Sequence, residues 1–254
     1  MSEALLTVKN LSVDFHTARG TVNAVKNVSW SVARGETLAV LGESGSGKSV
    51  SANAVMNLLD IPPAEITSGE IFYEGKDLLK VSYEDHRALN GKKIAMIFQD
   101  PLGHLNPVYT VGWQIVEMMT AHGRPADAAH ARALELITRV GIPHPEQAMG
   151  KYPHQFSGGQ RQRLMIAMAL MLKPDILIAD EPTTALDVTI QAEVLALLKE
   201  LQAETGMALV LITHDLGVVA EIADRVVVMN GGEIVETGLV REVYHNPQHP
   251  YTRK

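Results

Sequence analysis

Cysteine is absent from the 254 residues, which removes disulfides, thiolate zinc sites, iron–sulfur clusters and thiol nucleophiles together. Long apolar runs are missing too. The longest, Leu164 to Leu172 (LMIAMALML), spans nine residues, where a membrane-crossing helix needs ~20. The opening MSEALLTVKNLSVDF carries Glu3 where a secretory signal has basic residues, and it has no continuous apolar region, so a cytoplasmic chain is expected. Basic charge is not in excess: Lys and Arg number 22 against 29 Asp and Glu, a net charge of −7. Neutralising a phosphate backbone needs clustered Lys and Arg, so no nucleic-acid partner is expected. Linkers, low-complexity stretches and internal repeats are also missing. What is present, 46% hydrophobic and 20% charged residues, describes a globular chain long enough for a large core, at ~100–200 residues per domain.

Gly and Pro divide the rest into short segments. Strands are expected at Leu5–Leu11, Val28–Ala33, Thr37–Leu41, Ile71–Tyr73, Ile94–Phe98, Ile176–Ala179, Ala208–Thr213, Arg225–Met229 and Ile234–Glu236. The central ones (LAVL, ILIA, LVLIT, VVVM) are continuous apolar runs, the pattern of parallel strands buried on both faces. The N-terminal ones alternate, as in Leu11, Val13 and Phe15, which suits an antiparallel sheet with one wet face. Between Phe98 and Ser157 the spacing turns helical, over Val111 to His122 and Ala126 to Val140, with Leu134, Ile137 and Val140 on one stripe. The expected fold is α/β with a small helical insert.

Thr37–Leu41 runs into Gly42-Glu43-Ser44-Gly45-Ser46-Gly47-Lys48-Ser49 and then a helical SANAVMNLL. This is G-x-x-x-x-G-K-[ST] in the strand–loop–helix context that a phosphate-binding loop requires. Gly42, Gly45 and Gly47 let backbone N–H groups turn toward phosphate oxygens where a Cβ would block them. The helix start aims its positive dipole end at the same anion. Lys48 supplies a point charge for the β- and γ-phosphates, and the Ser49 hydroxyl is a Mg²⁺ ligand. Gly42, Ser44, Gly45, Gly47, Lys48, Ser49 and Val50 are the residues expected to contact the nucleotide.

A second apolar strand ends in acid: Ile176-Leu177-Ile178-Ala179-Asp180-Glu181-Pro182. Neighbouring side chains at a strand end point in different directions, so the two carboxylates are free to take different duties. Asp180 is expected in the outer shell of Mg²⁺, opposite Ser49, and Glu181 is expected to orient and polarise the attacking water. Ser157-Gly158-Gly159-Gln160, preceded by Phe156 and followed by RQRLMIAMALML, is another anion-ready helix start, with Ser157 at the cap. One nucleotide already held by the first loop has no need of a second such site. The economical reading is that it addresses nucleotide on another subunit, in a pair closed by two-fold symmetry. Met165, Met168 and Met171 read as core filler on that helix.

In these segments the chain resembles the ATP-binding-cassette (ABC) ATPases over nearly its whole length. The motifs stand in that family's order: GESGSGKS (42–49), Gln99 in FQDP, FSGGQ (156–160), ILIADEP (176–182), TALD (184–187) and His214 in LITHD. The family most often has Leu where Phe156 opens the signature. The resemblance implies a P-loop NTPase (RecA-like) core with an N-terminal antiparallel β-subdomain and an inserted α-helical subdomain. It also implies that Gln99 links Mg²⁺ and the attacking water to the insert. Asp187 would belong to a loop communicating across the dimer, and His214 would contact the γ-phosphate and hold the geometry of Glu181. Phe15 would stack on adenine, and Ser157, Gly159 and Gln160 would contact ATP. The implied domain plan is a single ABC ATPase domain over 1–254. Within it, 1–99 and 157–242 form the catalytic core with the β-subdomain, 100–156 the helical subdomain, and 243–254 the start of a C-terminal extension in a truncated or fused chain.

Within the family, FQDPLGHLNPVYTVGWQI (98–115) and the tail His245-Asn246-Pro247-Gln248-His249-Pro250-Tyr251-Thr252 are similar to importers of dipeptides, oligopeptides and nickel. Ser49-Val50 resembles one of the two paralogous nucleotide-binding subunits of those importers. The implied partners are that paralogue or a second copy, two integral-membrane permease subunits and, indirectly, an extracytoplasmic substrate-binding protein. The implied location is the cytoplasmic face of the cell membrane. Pro247 between His245 and His249 prevents the helix that would bring those rings together as a metal site. Two other functions would leave different marks in the sequence. A soluble ABC ATPase acting on nucleic acid or ribosomes would bring a long coiled coil, a zinc insert, or two cassettes with a charged linker. A GTPase switch would need Asn-Lys-x-Asp, which the sequence lacks.

Overall fold

The structure, a computed structural model, describes residues 3–184 and 186–253, the side chains of 101 and 102 excepted. Its strands are β1 (Ala4–Thr17), β2 (Gly20–Ala33), β3 (Thr37–Leu41), β4 (Ala64–Tyr73), β5 (Lys76–Asp77), β6 (Ile94–Ile97), β7 (Ile176–Asp180), β8 (Ala208–Thr213), β9 (Arg225–Asn230) and β10 (Glu233–Leu239). Its α-helices are α1 (Lys48–Val55), α2 (Tyr83–Leu89), α3 (Pro101–His104), α4 (Val111–Thr120), α5 (Ala126–Arg139), α6 (Pro145–Met149), α7 (Gly158–Ala169), α8 (Val188–Thr205), α9 (Leu216–Ile222) and α10 (Val240–His245). The chain divides into two compact units, Met1–Arg87 with Gly206–Lys254, and Ala88–Thr205.

The first unit holds two sheets. In one, the strand order is β2-β1-β4-β5 and every pairing is antiparallel. In the other, β3 lies between β8 and β9, parallel to both, and β10 pairs antiparallel with β9. β3 and β8 are buried at every position, as their unbroken apolar sequences require. The antiparallel strands are longer than the alternation predicts. β1 continues from Leu11 to Thr17, β2 begins at Gly20 rather than Val28, and β4 begins at Ala64 rather than Ile71. Bulges hide the continuation from a period-two reading. Asn10 and Asn27 take φ of 50° and 51°, and their N–H groups leave the ladder for Ser29 Oγ at 2.8 Å and Ser12 Oγ at 3.0 Å. A bulge shifts the register by one residue, so apolar positions change parity while the strand goes on.

α1 also differs from expectation: it stops at Val55, not at the end of SANAVMNLL, with Asn57 at φ 53° just beyond. The buried ring of His86 closes this end, its Nε2–H donating to Val55 O at 3.1 Å. Burial lowers the His86 pKa more than that bond raises it, so the ring stays neutral.

In the second unit β6 and β7 pair in parallel, Ile94 opposite Ile176 through Ile97 opposite Ala179. β7 is buried throughout. Helices α3 to α8 belong to the same unit. α4 starts where expected, with Thr110 Oγ1 accepting the N–H of Trp113 at 3.3 Å. The buried stripe of α5 runs through Ala129, Ala133, Leu136 and Ile137 and ends at Val140. Leu134 flanks that stripe instead of lying in it, since a 3.6-residue period sets it one position off the Ala133–Ile137 line. On α7 and just past it, Met165 and Met171 are buried and Met168 is half-buried, which fits core filler. No helix among the described residues is long and apolar enough to cross a membrane.

Candidate functional site

The phosphate loop leaves the carboxyl end of β3. Leu41 pairs with Thr213 on β8, so Gly42 and His214 emerge from the same end of adjacent parallel strands, and Gly42 N donates to Thr213 O at 3.3 Å. In open α/β sheets ligands bind beyond this end. The loop is closely buttressed. A Cβ on Gly42 would lie 2.3 Å from Met229 O, and one on Gly47 would lie 2.5 Å from Ala24 O. Gly47 also takes φ 99° as the N-cap of α1, so glycine is required there on two counts. With Gly47 at the cap, no side chain competes with an anion for the helix start.

Lys48 is only 4% exposed. Its Nζ donates to Gly42 O at 2.7 Å and Glu43 O at 2.9 Å, so the ammonium is held against the loop. Ser46 Oγ is buried without a hydrogen-bond partner among the described residues, a polar atom in the cradle suited to bind an anion. Ser44 and Gly45 are exposed at the loop's crest, while Ser49 and Val50 are half-buried on the first turn of α1. Phe15 is half-buried on β1 between Val22 of β2 and Ala64 of β4. The same hairpin carries Ala24, which contacts the loop. His214 is exposed after β8, and Asp215 caps α9 through the N–H groups of Gly217 and Val218.

In the second unit Asp180 ends β7, 6% exposed. Glu181 follows at φ 45°, a left-handed conformation that costs a non-glycine residue roughly 1–2 kcal/mol. Its Oε2 accepts from Gln99 Nε2 at 2.9 Å and from Thr184 Oγ1 at 2.8 Å. The structure therefore brings Gln99 and Glu181 together, a contact the sequence reading does not name: there Gln99 serves Mg²⁺ and the attacking water, and His214 holds Glu181. Thr184 was missed as a site residue. It belongs to the quoted TALD segment, of which Ala185 lies outside the described residues. Its hydroxyl at i+3 from an acid was the available signal, since Ser and Thr commonly bond backbone and side chains a few residues away.

Ser157 is exposed at the N-cap of α7. Its Oγ accepts Gln160 N at 3.3 Å, and Gln160 Oε1 accepts Ser157 N at 3.0 Å. This capping box contributes about 1 kcal/mol to the helix start, and it gives Gln160 a structural duty beside any ligand contact. Phe156, the first residue of the signature, is buried. Ser157 and Gly159 line a cavity of about 530 Å³ together with Leu186, Asp187, Ile190 and Glu193. Arg163 fixes one wall: its guanidinium donates to Val140 O at 2.9 Å and Glu193 Oε2 at 2.6 Å, tying α7 to the end of α5 and to α8. Arg139 adds a second tie from α5 to Glu204 and Glu200 of α8, which raise its already high pKa.

A Cβ on Gly159 would lie 2.6 Å from Ile190 Cγ2, whereas one on Gly158 would meet nothing nearer than Leu186 at 3.9 Å. Gly159 is thus a packing glycine between α7 and α8. Gly159→Ala should destabilise the fold by about 1–3 kcal/mol, the overpacking range, and the double variant Gly159→Ala/Ile190→Ala, in which the clashing methyl is gone, should lose less than the sum of the two single variants. Urea denaturation of the three variants checks this. Strictly additive losses would mean that contact with Ile190 is not what excludes a side chain at 159.

A family model described as ABC transporter matches residues 25–184. The chain is 53% identical over 249 residues to the oligopeptide transport ATP-binding protein OppD of Bacillus subtilis, covering 98% of this chain and 70% of that protein. It is 52% identical over 252 residues to the dipeptide transport ATP-binding protein DppD of the same organism, covering 99% of this chain and 75% of that one. Among solved structures, a dimeric ATP-binding cassette in a post-hydrolysis state bound to ADP and Pi superposes with a TM-score of 0.82 at 28% identity, covering 93% of this chain and 99% of the other. The structure of cbiO1 from Clostridium perfringens, part of the ABC transporter complex cbiONQ, gives 0.80 at 30% identity over 96% of this chain and 92% of that one. The folds agree with the P-loop NTPase core, N-terminal β-subdomain and helical subdomain that the motifs imply. The chain belongs to the ABC transporter family, as one of its ATP-binding, ATP-hydrolysing subunits.

Proposed function

We propose that this subunit powers the import of di- or oligopeptides through a membrane permease. The observation that carries the cargo class is identity above 50% over almost the whole chain to proteins named for oligopeptide and dipeptide transport. In this reading two cassettes, this chain with a paralogue or a second copy, close when ATP is bound and part after hydrolysis. The difference in affinity of the closed pair for ATP and ADP drives the stroke. The phosphate loop (Gly42, Ser44, Gly45, Gly47, Lys48, Ser49, Val50) takes the phosphates and Phe15 the adenine. Ser157, Gly159 and Gln160 meet the nucleotide of the facing cassette. The exposed capped start of α7 supports that last assignment, because a helix start turned into its own core would have no reach.

Glu181 polarises the attacking water, Gln99 holds Glu181 in place, and His214 contacts the γ-phosphate. Ser49, Gln99 and Asp180 would hold Mg²⁺, which when bound neutralises phosphate charge. Their hydroxyl, amide and carboxylate oxygens are the hard donors that this ion takes. The helical subdomain, 100–156, receives the permease at the cytoplasmic membrane face. Exposed apolar side chains support this: Val108 is 70% and Trp113 48% exposed, and Trp113 stacks on Tyr109 at 4.2 Å.

The test is reconstitution in vesicles with the permease and binding protein that copurify with this chain. Di- or oligopeptides are expected to stimulate ATP hydrolysis several-fold, with Ni²⁺ and other small solutes inert. Stimulation by Ni²⁺ alone would assign the cargo to the metal.

A further inference from the structure

The tail after α10 folds back onto the first unit in a built arrangement. Glu236 of β10 accepts the N–H of Gln248 through Oε1 at 2.7 Å and that of His249 through Oε2 at 3.0 Å. His249 O accepts the N–H groups of Thr252 at 3.1 Å and Arg253 at 3.2 Å, which closes a turn. Arg253 Nε donates to Pro247 O at 2.9 Å, and Tyr251 N donates to His249 Nδ1 at 3.2 Å. Burial pushes the Glu236 carboxyl pKa up, but the N–H of Gln248, the Thr252 side chain and the N–H of His249 together pull it below its ordinary value, so it is ionised at neutral pH.

This clasp delivers one side chain to the phosphate loop. The Tyr251 ring packs on a cluster that includes Leu41, the last residue before the loop, with Val226 and Val228 of β9 and Val240 and Val243 of α10. Its hydroxyl accepts the N–H of Glu43 at 3.1 Å. The peptide group between Gly42 and Glu43 is therefore gripped from both sides, its carbonyl by Lys48 Nζ at 2.7 Å and its N–H by Tyr251. Rotation of that peptide plane would carry the Lys48 anchor with it.

We infer that Tyr251 is a positioning residue for ATP: its hydroxyl fixes the Gly42–Glu43 peptide and, through it, the Lys48 ammonium. The inference rests on the phosphate-loop reading above. Tyr251→Phe keeps the packed ring and loses one hydrogen bond, so the ATP KM and the Kd for a fluorescent ATP analogue should rise about three- to tenfold, with kcat within about twofold of the parent. Glu236→Gln, which removes one of the two acceptors of the clasp, should shift KM in the same direction. The double variant should be no worse than Tyr251→Phe, because both act through one contact. Tyr244→Phe, at an exposed ring on α10, should leave KM at the parental value. An unchanged KM in Tyr251→Phe, a fall in kcat alone, or an equal rise in Tyr244→Phe overturns the inference. If Lys48→Ala also binds ATP as the parent does, the phosphate-loop reading has failed rather than the role of the tail.

Discussion

ATP turnover by the Glu181→Gln chain is expected to fall by about 10²- to 10⁴-fold, the range that a positioned general base contributes, while ATP binding stays near parental. The amide has the shape of the carboxylate, and its oxygen still accepts from Gln99 and Thr184, which now approach Oε2 at 2.9 and 2.8 Å. The left-handed backbone at Glu181 (φ 45°) is no harder for Gln than for Glu. What the substitution removes is the capacity to accept a proton from water. Hydrolysis ends the closed state in the proposed cycle, so the variant should accumulate as an ATP-bound dimer, which light scattering with and without ATP would detect. Phosphate release in a single turnover measures the rate. A near-parental rate would place the base elsewhere and reduce Glu181 to a strand-end acid. The geometry argues against that, since a solvated terminal acid has no need of two donors on one oxygen.

The parts of this site legible in the sequence are those whose chemistry is local. The phosphate loop announced itself because strand, glycines, lysine and helix are consecutive, and because each residue type answers a demand made within eight positions. The buried strands were legible for a similar reason, since burial on both faces leaves no alternation to misread. Contacts between distant segments were not legible. Glu43 and Tyr251 are 208 positions apart, and neither a periodicity nor a motif predicts which tail residue returns to the loop. The sequence reading of Gly159 is that it allows backbone approach to an anion, and in the structure its missing Cβ also makes room for Ile190. Both explanations call for glycine, so the sequence gives no means of separating them. The continuation of β1 past Leu11 was hidden by a related ambiguity: Asn10 has the composition of a turn, and only the bond from its N–H to Ser29 Oγ marks it as a bulge inside a strand.

Lys48→Ala is expected to weaken ATP binding by at least about 100-fold, a loss of ~3 kcal/mol, the upper range for one hydrogen bond to a charged group. Two effects act in the same direction. The point charge aimed at the β- and γ-phosphates is gone, and Gly42 O and Glu43 O lose the donor that now reaches them at 2.7 and 2.9 Å. The loop's oxygens would then face the anion with no cation between them. The fold itself should survive, because Ala is the best helix former at the first position of α1, and the steric supports at Met229 and Ala24 involve backbone atoms that the change leaves in place. Circular dichroism at the parental midpoint alongside titration with a fluorescent ATP analogue separates lost binding from lost structure. Lys48→Arg sharpens the test. Its charge is kept, but a planar guanidinium does not fit two carbonyls converging on one compact ammonium. If the site needed only a positive charge, Arg would restore affinity. The buried position of Lys48, 4% exposed, requires shape as well, so Arg should remain at least about tenfold weaker than the parent.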